Sequence, residues 1–147
     1  MTPNPTLRAR DWAQAAIDRC VASGRNILLS LSVPISPLAD PLALFERASG
    51  NETHCFLWQH PPELLSIVAL GSAAICEAEG ASRFARLGEA CADVLDNAVI
   101  ESMGAPEPAG PLFVGGFSFD DRARPTGKLK GFPAGKLLLP RLHIVQR

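Results

Sequence analysis

The run Pro111-Leu112-Phe113-Val114-Gly115-Gly116-Phe117-Ser118-Phe119-Asp120 brings aromatic and β-branched residues up to a glycine pair, then alternates Phe-Ser-Phe. Glycine weakens a strand, because it adds backbone entropy and packs nothing. A strand that keeps two of them implies a bulge or a close backbone neighbour. A polar loop follows, and Lys136 to Gln146 reads as a second strand, the antiparallel partner of the first. Leu137, Leu139, Leu142 and Ile144 cannot share one face of a regular strand. Either a bulge near Pro140 resets the alternation or both faces need cover.

Around this pair the chain supplies helices and a meander. Asn4-Pro5 caps and opens a helix whose apolar face is Ala9, Trp12, Ala13, Ala16, Ile17, Cys20 and Val21, with Gly24 as its stop. Residues 26–35 read as a strand with Ile27, Leu29, Leu31 and Val33 on one face. Asp40 caps a short helix that starts at Pro41 and ends at Ser49-Gly50. Three strands of a meander follow: Thr53 to Gln59, Leu64 to Leu70 and Ala73 to Ala78, with the second one central. Ser82 opens a further amphipathic helix with Phe84, Leu87, Cys91, Val94, Leu95 and Ala98 as its stripe. Arg83, Arg86, Glu89, Asp93 and Asp96 read as its solvated side. Residues 104–111 form a Gly- and Pro-rich connector. The fold class is α+β, an antiparallel sheet with packing helices.

A chain of 147 residues, 47% apolar and 20% charged, holds one domain with a real core. A net charge of −1, with no Arg-rich stripe, argues against nucleic acid and against an anionic membrane surface as partners. No apolar run approaches the ~18 residues of a bilayer span. Pro3, Pro5, Arg8, Arg10 and Asp11 do not make a signal peptide. Cys20, Cys55, Cys76 and Cys91 show neither Cys-x-x-Cys nor zinc-finger spacing and sit in apolar settings. They read as reduced thiols in the cytoplasm.

No constellation of side chains reaches catalytic or ligating quality. His54 and His60 lie about 20 Å apart along one strand face by strand rise, too far for one ion. His143 stands alone near the chain end. Asp120-Asp121, with Glu107 nearby, lack a suitably spaced base or nucleophile and read as a turn cap. Gly115-Gly116 has no phosphate-loop context. Arg122, Arg124, Lys128, Lys130, Lys136 and Arg141 make the C-terminal third locally basic, which reads as a solvated surface. The sequence therefore offers no catalytic, cofactor-binding or metal-binding residue.

Short segments in order carry a family resemblance. Cys55-Phe56-Leu57-Trp58-Gln59-His60-Pro61 and Val68-Ala69-Leu70-Gly71 are similar to the aromatic-Trp-x-x-Pro and Ala-Leu-Gly segments of isochorismate synthases, members of the chorismate-utilising enzymes. Gly115-Gly116-Phe117-Ser118-Phe119-Asp120, then Phe132-Pro133 and Leu139-Pro140-Arg141, resemble the end of that family's N-terminal region. Leu129 stands where the family usually has a Trp. The resemblance implies the interconversion of chorismate and isochorismate, which supplies menaquinone or siderophore and salicylate synthesis. It implies Mg²⁺ on the substrate carboxylate, a lysine base that activates water and a glutamate acid that protonates the leaving hydroxyl. In the family those groups follow the Leu-Pro-Arg strand, so residues 1–147 read as a single N-terminal domain or fragment without the catalytic C-terminal region. This chain alone is expected to be inactive, with chorismate and Mg²⁺ belonging to the full-length enzyme. Its partners would be its own C-terminal half or, through an exposed strand edge, a second copy. Two alternatives are a stand-alone ligand-binding or protein-interaction domain and a fragment of anthranilate or aminodeoxychorismate synthase. The Leu-Leu-Glu-Ser signature of the latter is missing here.

Overall fold

The computed structural model describes residues 5–106, 110–120, 126–127 and 130–147, with side chains from residue 8 onward. In chain order the elements are α1 (Pro5–Ser23), β1 (Leu29–Ser32), α2 (Pro41–Ser49), β2 (Cys55–His60), a 3-10 turn (Pro61–Glu63), β3 (Leu65–Leu70), β4 (Ala74–Ala78), α3 (Arg83–Leu95), β5 (Val99–Ser102), β6 (Val114–Phe117), β7 (Gly135–Leu139) and β8 (Leu142–Gln146). The class is α+β, as expected. The chain groups into two compact units, residues 1–35 with 89–111 and residues 36–88 with 112–147.

In the first unit, α1 packs on a two-stranded parallel sheet made of β1 and β5, with Leu29 opposite Val99 and Ser32 opposite Ser102. Gly24 stops the helix as expected, at φ +65°, and its N–H donates to the Cys20 carbonyl at 2.9 Å. The expected Asn4 cap lies outside the described residues. Ala16 is buried, but Ile17 and Val21 of the expected apolar face are exposed. A helix of 19 residues is about 28 Å long, whereas each four-residue strand is about 13 Å. Part of the helix face therefore outruns the sheet. The strand expected over residues 26–35 is shorter for the same reason: its ladder ends where β5 ends, and Leu29, Leu31 and Val33 stay 38–45% exposed. Arg25 pairs with Asp93, and that hydrogen bond and charge push the guanidinium pKa further up. Residues 107–109 of the connector lie outside the described residues.

The second unit begins with the short helix in the expected place. Asp40 accepts from the Ala43 N–H at 3.0 Å, Pro41 occupies the first turn and Gly50 closes α2. β2 and β3 form an antiparallel hairpin with Phe56 opposite Ala69 and Trp58 opposite Ile67. Leu64 at the turn has φ 54°, the described non-glycine residue in the left-handed region. β3 is the central strand, flanked by β2 and β8, and Val68 and Ala69 are 1% and 2% exposed.

Two strand assignments need correction. β4 does not return to β3 as the third strand of a meander; it joins β7 in a separate sheet ordered β4-β7-β6. At the turn the Ala73 N–H donates to the Leu139 carbonyl at 2.7 Å, so the chain has already left β3 when β4 starts. The strand expected from Lys136 to Gln146 is two strands. β7 pairs with β6, as expected for its first half, while β8 pairs with β3. The break falls at Pro140, where the missing N–H cannot serve a ladder and where the alternation of leucines already failed. No bulge marks the glycine pair: β6 and β7 pair residue for residue, from Val114 opposite Leu138 to Phe117 opposite Gly135.

The two three-stranded sheets pack through Ala69, Val114 and Leu138, with Phe56 and Leu112 against them. On the opposite face of β7, Leu87 of α3 is 1% exposed, and a Cβ on Gly135 would come within 2.7 Å of its Cδ1. Arg83 corrects the helix reading. It is buried, and Nη1 and Nη2 donate to the Gly80 and Ser118 carbonyls at 3.3 and 3.2 Å. Two carbonyls that leave other elements here attract the guanidinium inward. Phe84 is instead mostly exposed and stacks on Phe117 with centroids 4.5 Å apart. Among the described residues no helix is long and apolar enough to cross a membrane.

Candidate functional site

The segments of the family resemblance all fall in the second unit, and two of them meet where its two sheets exchange strands. Ala69-Leu70-Gly71 ends β3, and Leu139-Pro140-Arg141 is the passage from β7 to β8. Gly71 has φ +65°, and a Cβ there would lie 2.6 Å from Arg141 Nε. The glycine thus serves twice, for its backbone conformation and for the side chain lying on it. Arg141 Nη2 donates to Glu52 Oε1 at 2.6 Å. Glu52, Thr53, His54, Gly71, Ser72 and Arg141 line a polar recess of about 270 Å³.

A larger groove of about 420 Å³ adjoins it, sharing Thr53 and His54. Its walls are Cys55 and Phe56 of β2, Ala69 of β3, Val114, Gly115 and Gly116 of β6, Phe132, and Lys136 and Leu138 of β7. Register explains the wall: Val114, Gly116, Lys136 and Leu138 share one face of their sheet. Gly115 is required by packing, since a Cβ there would collide with the Lys136 carbonyl oxygen. This is the close backbone neighbour that the glycine pair implied. Lys136 Nζ reaches Glu77 Oε1 at 2.8 Å across the β4–β7 pair. Burial, and secondarily the Glu52 charge, push the Cys55 thiol up in pKa.

The candidates weighed from sequence do not assemble into a reaction centre. His54 and His60 sit at opposite ends of β2, and His60 Nδ1 lies 3.7 Å from Glu63 Oε2. His143 is opposite Ala69 on β8. Asp121, Glu107, Arg122, Arg124, Lys128 and Leu129 lie outside the described residues. Of the remaining cations in the basic C-terminal third, Lys136 and Arg141 are each held by a carboxylate. The cysteines are free thiols. Among the described residues no group of three or more His, Cys, Asp or Glu could hold a metal ion. Sequence reasoning missed the groove because its walls come from five segments. The available signal was the second glycine, Gly116, which no turn or bulge accounts for.

Comparison with known proteins agrees with the resemblance. A family profile described as chorismate binding enzyme matches residues 15–147. A salicylate biosynthesis isochorismate synthase from Pseudomonas aeruginosa is 31% identical over 137 residues, which is 93% of this chain. The chain spans only 27% of that relative's length. No solved structure matches. With its family segments interlocked in one unit and the profile covering most of its length, the chain belongs to the chorismate-binding enzymes.

Proposed function

We propose that this chain is the N-terminal structural portion of an isochorismate synthase-type isomerase, acting on chorismate in a longer enzyme. The observation that carries the reading is the 31% identity to an isochorismate synthase, spread over nearly the whole chain but little more than a quarter of the relative. The reaction moves a hydroxyl between ring carbons: water adds at one carbon as hydroxide equivalent leaves another, so substrate and product are isomers. A base must take a proton from the water and an acid must give one to the leaving oxygen. The described residues of this chain bring no such pair together, and its role is to supply the packed sheets and helices that support them. Mg²⁺, when bound, would neutralise the substrate carboxylate; its ligands would come from the remainder of the enzyme. The reduced cysteines suit a cytoplasmic compartment, and supply of menaquinone, siderophore or salicylate precursor is the pathway context.

The test separates fragment from enzyme. Purified 147-residue chain, incubated with chorismate and Mg²⁺ and followed by chromatography, is expected to form no isochorismate above a heat-killed control. Turnover by this chain alone would overturn the assignment of every catalytic group to another segment.

A further inference from the structure

The glycine pair divides into one residue that the fold explains and one that it does not. Gly115 faces the Lys136 carbonyl and admits no side chain. At Gly116 a Cβ would meet nothing within 4 Å, and its φ lies outside the left-handed region. Neither backbone geometry nor close packing demands glycine there. Its open side is the face it shares with Val114, Lys136 and Leu138, which is the wall of the 420 Å³ groove. What a glycine does at this position is keep the groove open.

The lining also has a chemical sense. Phe56 and Phe132 supply aromatic surface, and the groove residues include one lysine and no Asp or Glu. Lys136 commits one ammonium donor to Glu77 at 2.8 Å, and an ammonium carries three. The volume falls in the range of small-molecule pockets, about 300–1,000 Å³. We propose that the groove binds a small aromatic carboxylate, with its ring over Gly116 and its carboxylate on Lys136. The site is a binding site and not a reaction centre, and it goes beyond the role assigned above because it needs nothing outside this chain. Phosphate-bearing ligands suit it less, since a single shared lysine offers neither a bidentate fork nor a nest of amides.

Benzoate is the probe, with benzyl alcohol as its uncharged match, each titrated against the ¹⁵N-labelled 147-residue chain. Benzoate should shift the amides of Gly116 and Lys136 and bind about tenfold tighter than benzyl alcohol, as a charge-assisted contact predicts. Gly116→Val should lower the affinity for both ligands by at least about tenfold by filling the groove, since the added carbons occupy space the ring needs. Lys136→Met should remove the preference for benzoate and leave benzyl alcohol unchanged. Amide spectra and melting report whether each variant is folded; should Gly116→Val fail to fold, Gly116→Ala with Lys136→Met decides. The proposal is overturned by the absence of amide shifts at about 10 mM benzoate, a concentration well above a millimolar Kd. Equal binding of the two probes, or full benzoate affinity in folded Gly116→Val, overturns it as well. Neither result bears on the isomerase reading, which concerns chorismate turnover.

Discussion

Alanine at Gly115 and alanine at Gly116 should have opposite effects on stability, although the residues are adjacent in one strand. The Cβ of Gly115→Ala would lie 3.0 Å from both Leu137 Cα and the Lys136 carbonyl carbon, and closer still to the carbonyl oxygen. Carbon atoms settle about 3.5–4.0 Å apart, so β6 and β7 must separate by at least about half an ångström along a regular ladder with no bulge to absorb it. Overpacking of this kind costs about 1–3 kcal/mol. Weakened ladder hydrogen bonds add about 0.5–1.5 kcal/mol each, so about 3 kcal/mol in all is expected. For a chain of this size that lowers Tm by about 6–12 °C. At Gly116 the new methyl enters open space. Lost unfolded-state freedom then stabilises the protein by about 0.4–1 kcal/mol, and Tm should rise by about 1–4 °C. Thermal melts of the two variants and the parent, followed by far-UV circular dichroism, read both values. Equal destabilisation by the two alanines, or a neutral Gly115→Ala, would refute the close approach of β6 to β7.

The Arg141–Glu52 pair is largely solvent-exposed on the Arg141 side, so a double-mutant cycle should give a coupling under about 1 kcal/mol that shrinks in high salt. A larger, salt-insensitive coupling would mean that the recess is drier than its geometry implies. Cys55 has its thiol pKa raised by burial and by Glu52 above the ordinary value of 9.0. The folded state therefore favours the protonated thiol. Its contribution is fully present below pH 9.0 and is lost as pH rises through the folded value. Alkylation of Cys55 at pH 8 should run slower in the native chain than in denaturant, read by mass spectrometry, and equal rates would contradict the burial.

Local signals carried much of this fold. Asp40, Pro41 and Gly50 mark α2, and Gly24 marks the end of α1, because caps and stops act within a single turn. The β2–β3 hairpin was legible for a similar reason, since Pro61-Pro62-Glu63 joins its strands directly. The departure of β4 was not. Gly71-Ser72 suits a hairpin as well as a crossover, and the choice is made by Leu139, far along the chain. Pro140 announced a conflict in the leucine pattern without saying that its two halves serve different sheets. Arg83 gave little local sign of burial, because one of the two carbonyls that draw it in belongs to Ser118, 35 residues along the chain. The groove shared the same fate: each wall residue looks like ordinary strand, and only pairing brings them together.

The parallel pairing of β1 with β5 sets a timetable for the nascent chain. β1 is complete once Ser32 has emerged, yet its hydrogen-bonding partner Val99–Ser102 follows only after roughly 70 more residues, which at about 5–20 residues per second is several seconds of synthesis. Throughout that interval Leu29 and Leu31 have neither ladder nor sheet. The strand is a bare apolar segment on the ribosome, and antiparallel hairpins such as β2–β3 can close first. Assembly in the cell should therefore run from the middle of the chain outward, with the N-terminal strand a substrate for holding chaperones until its partner is made.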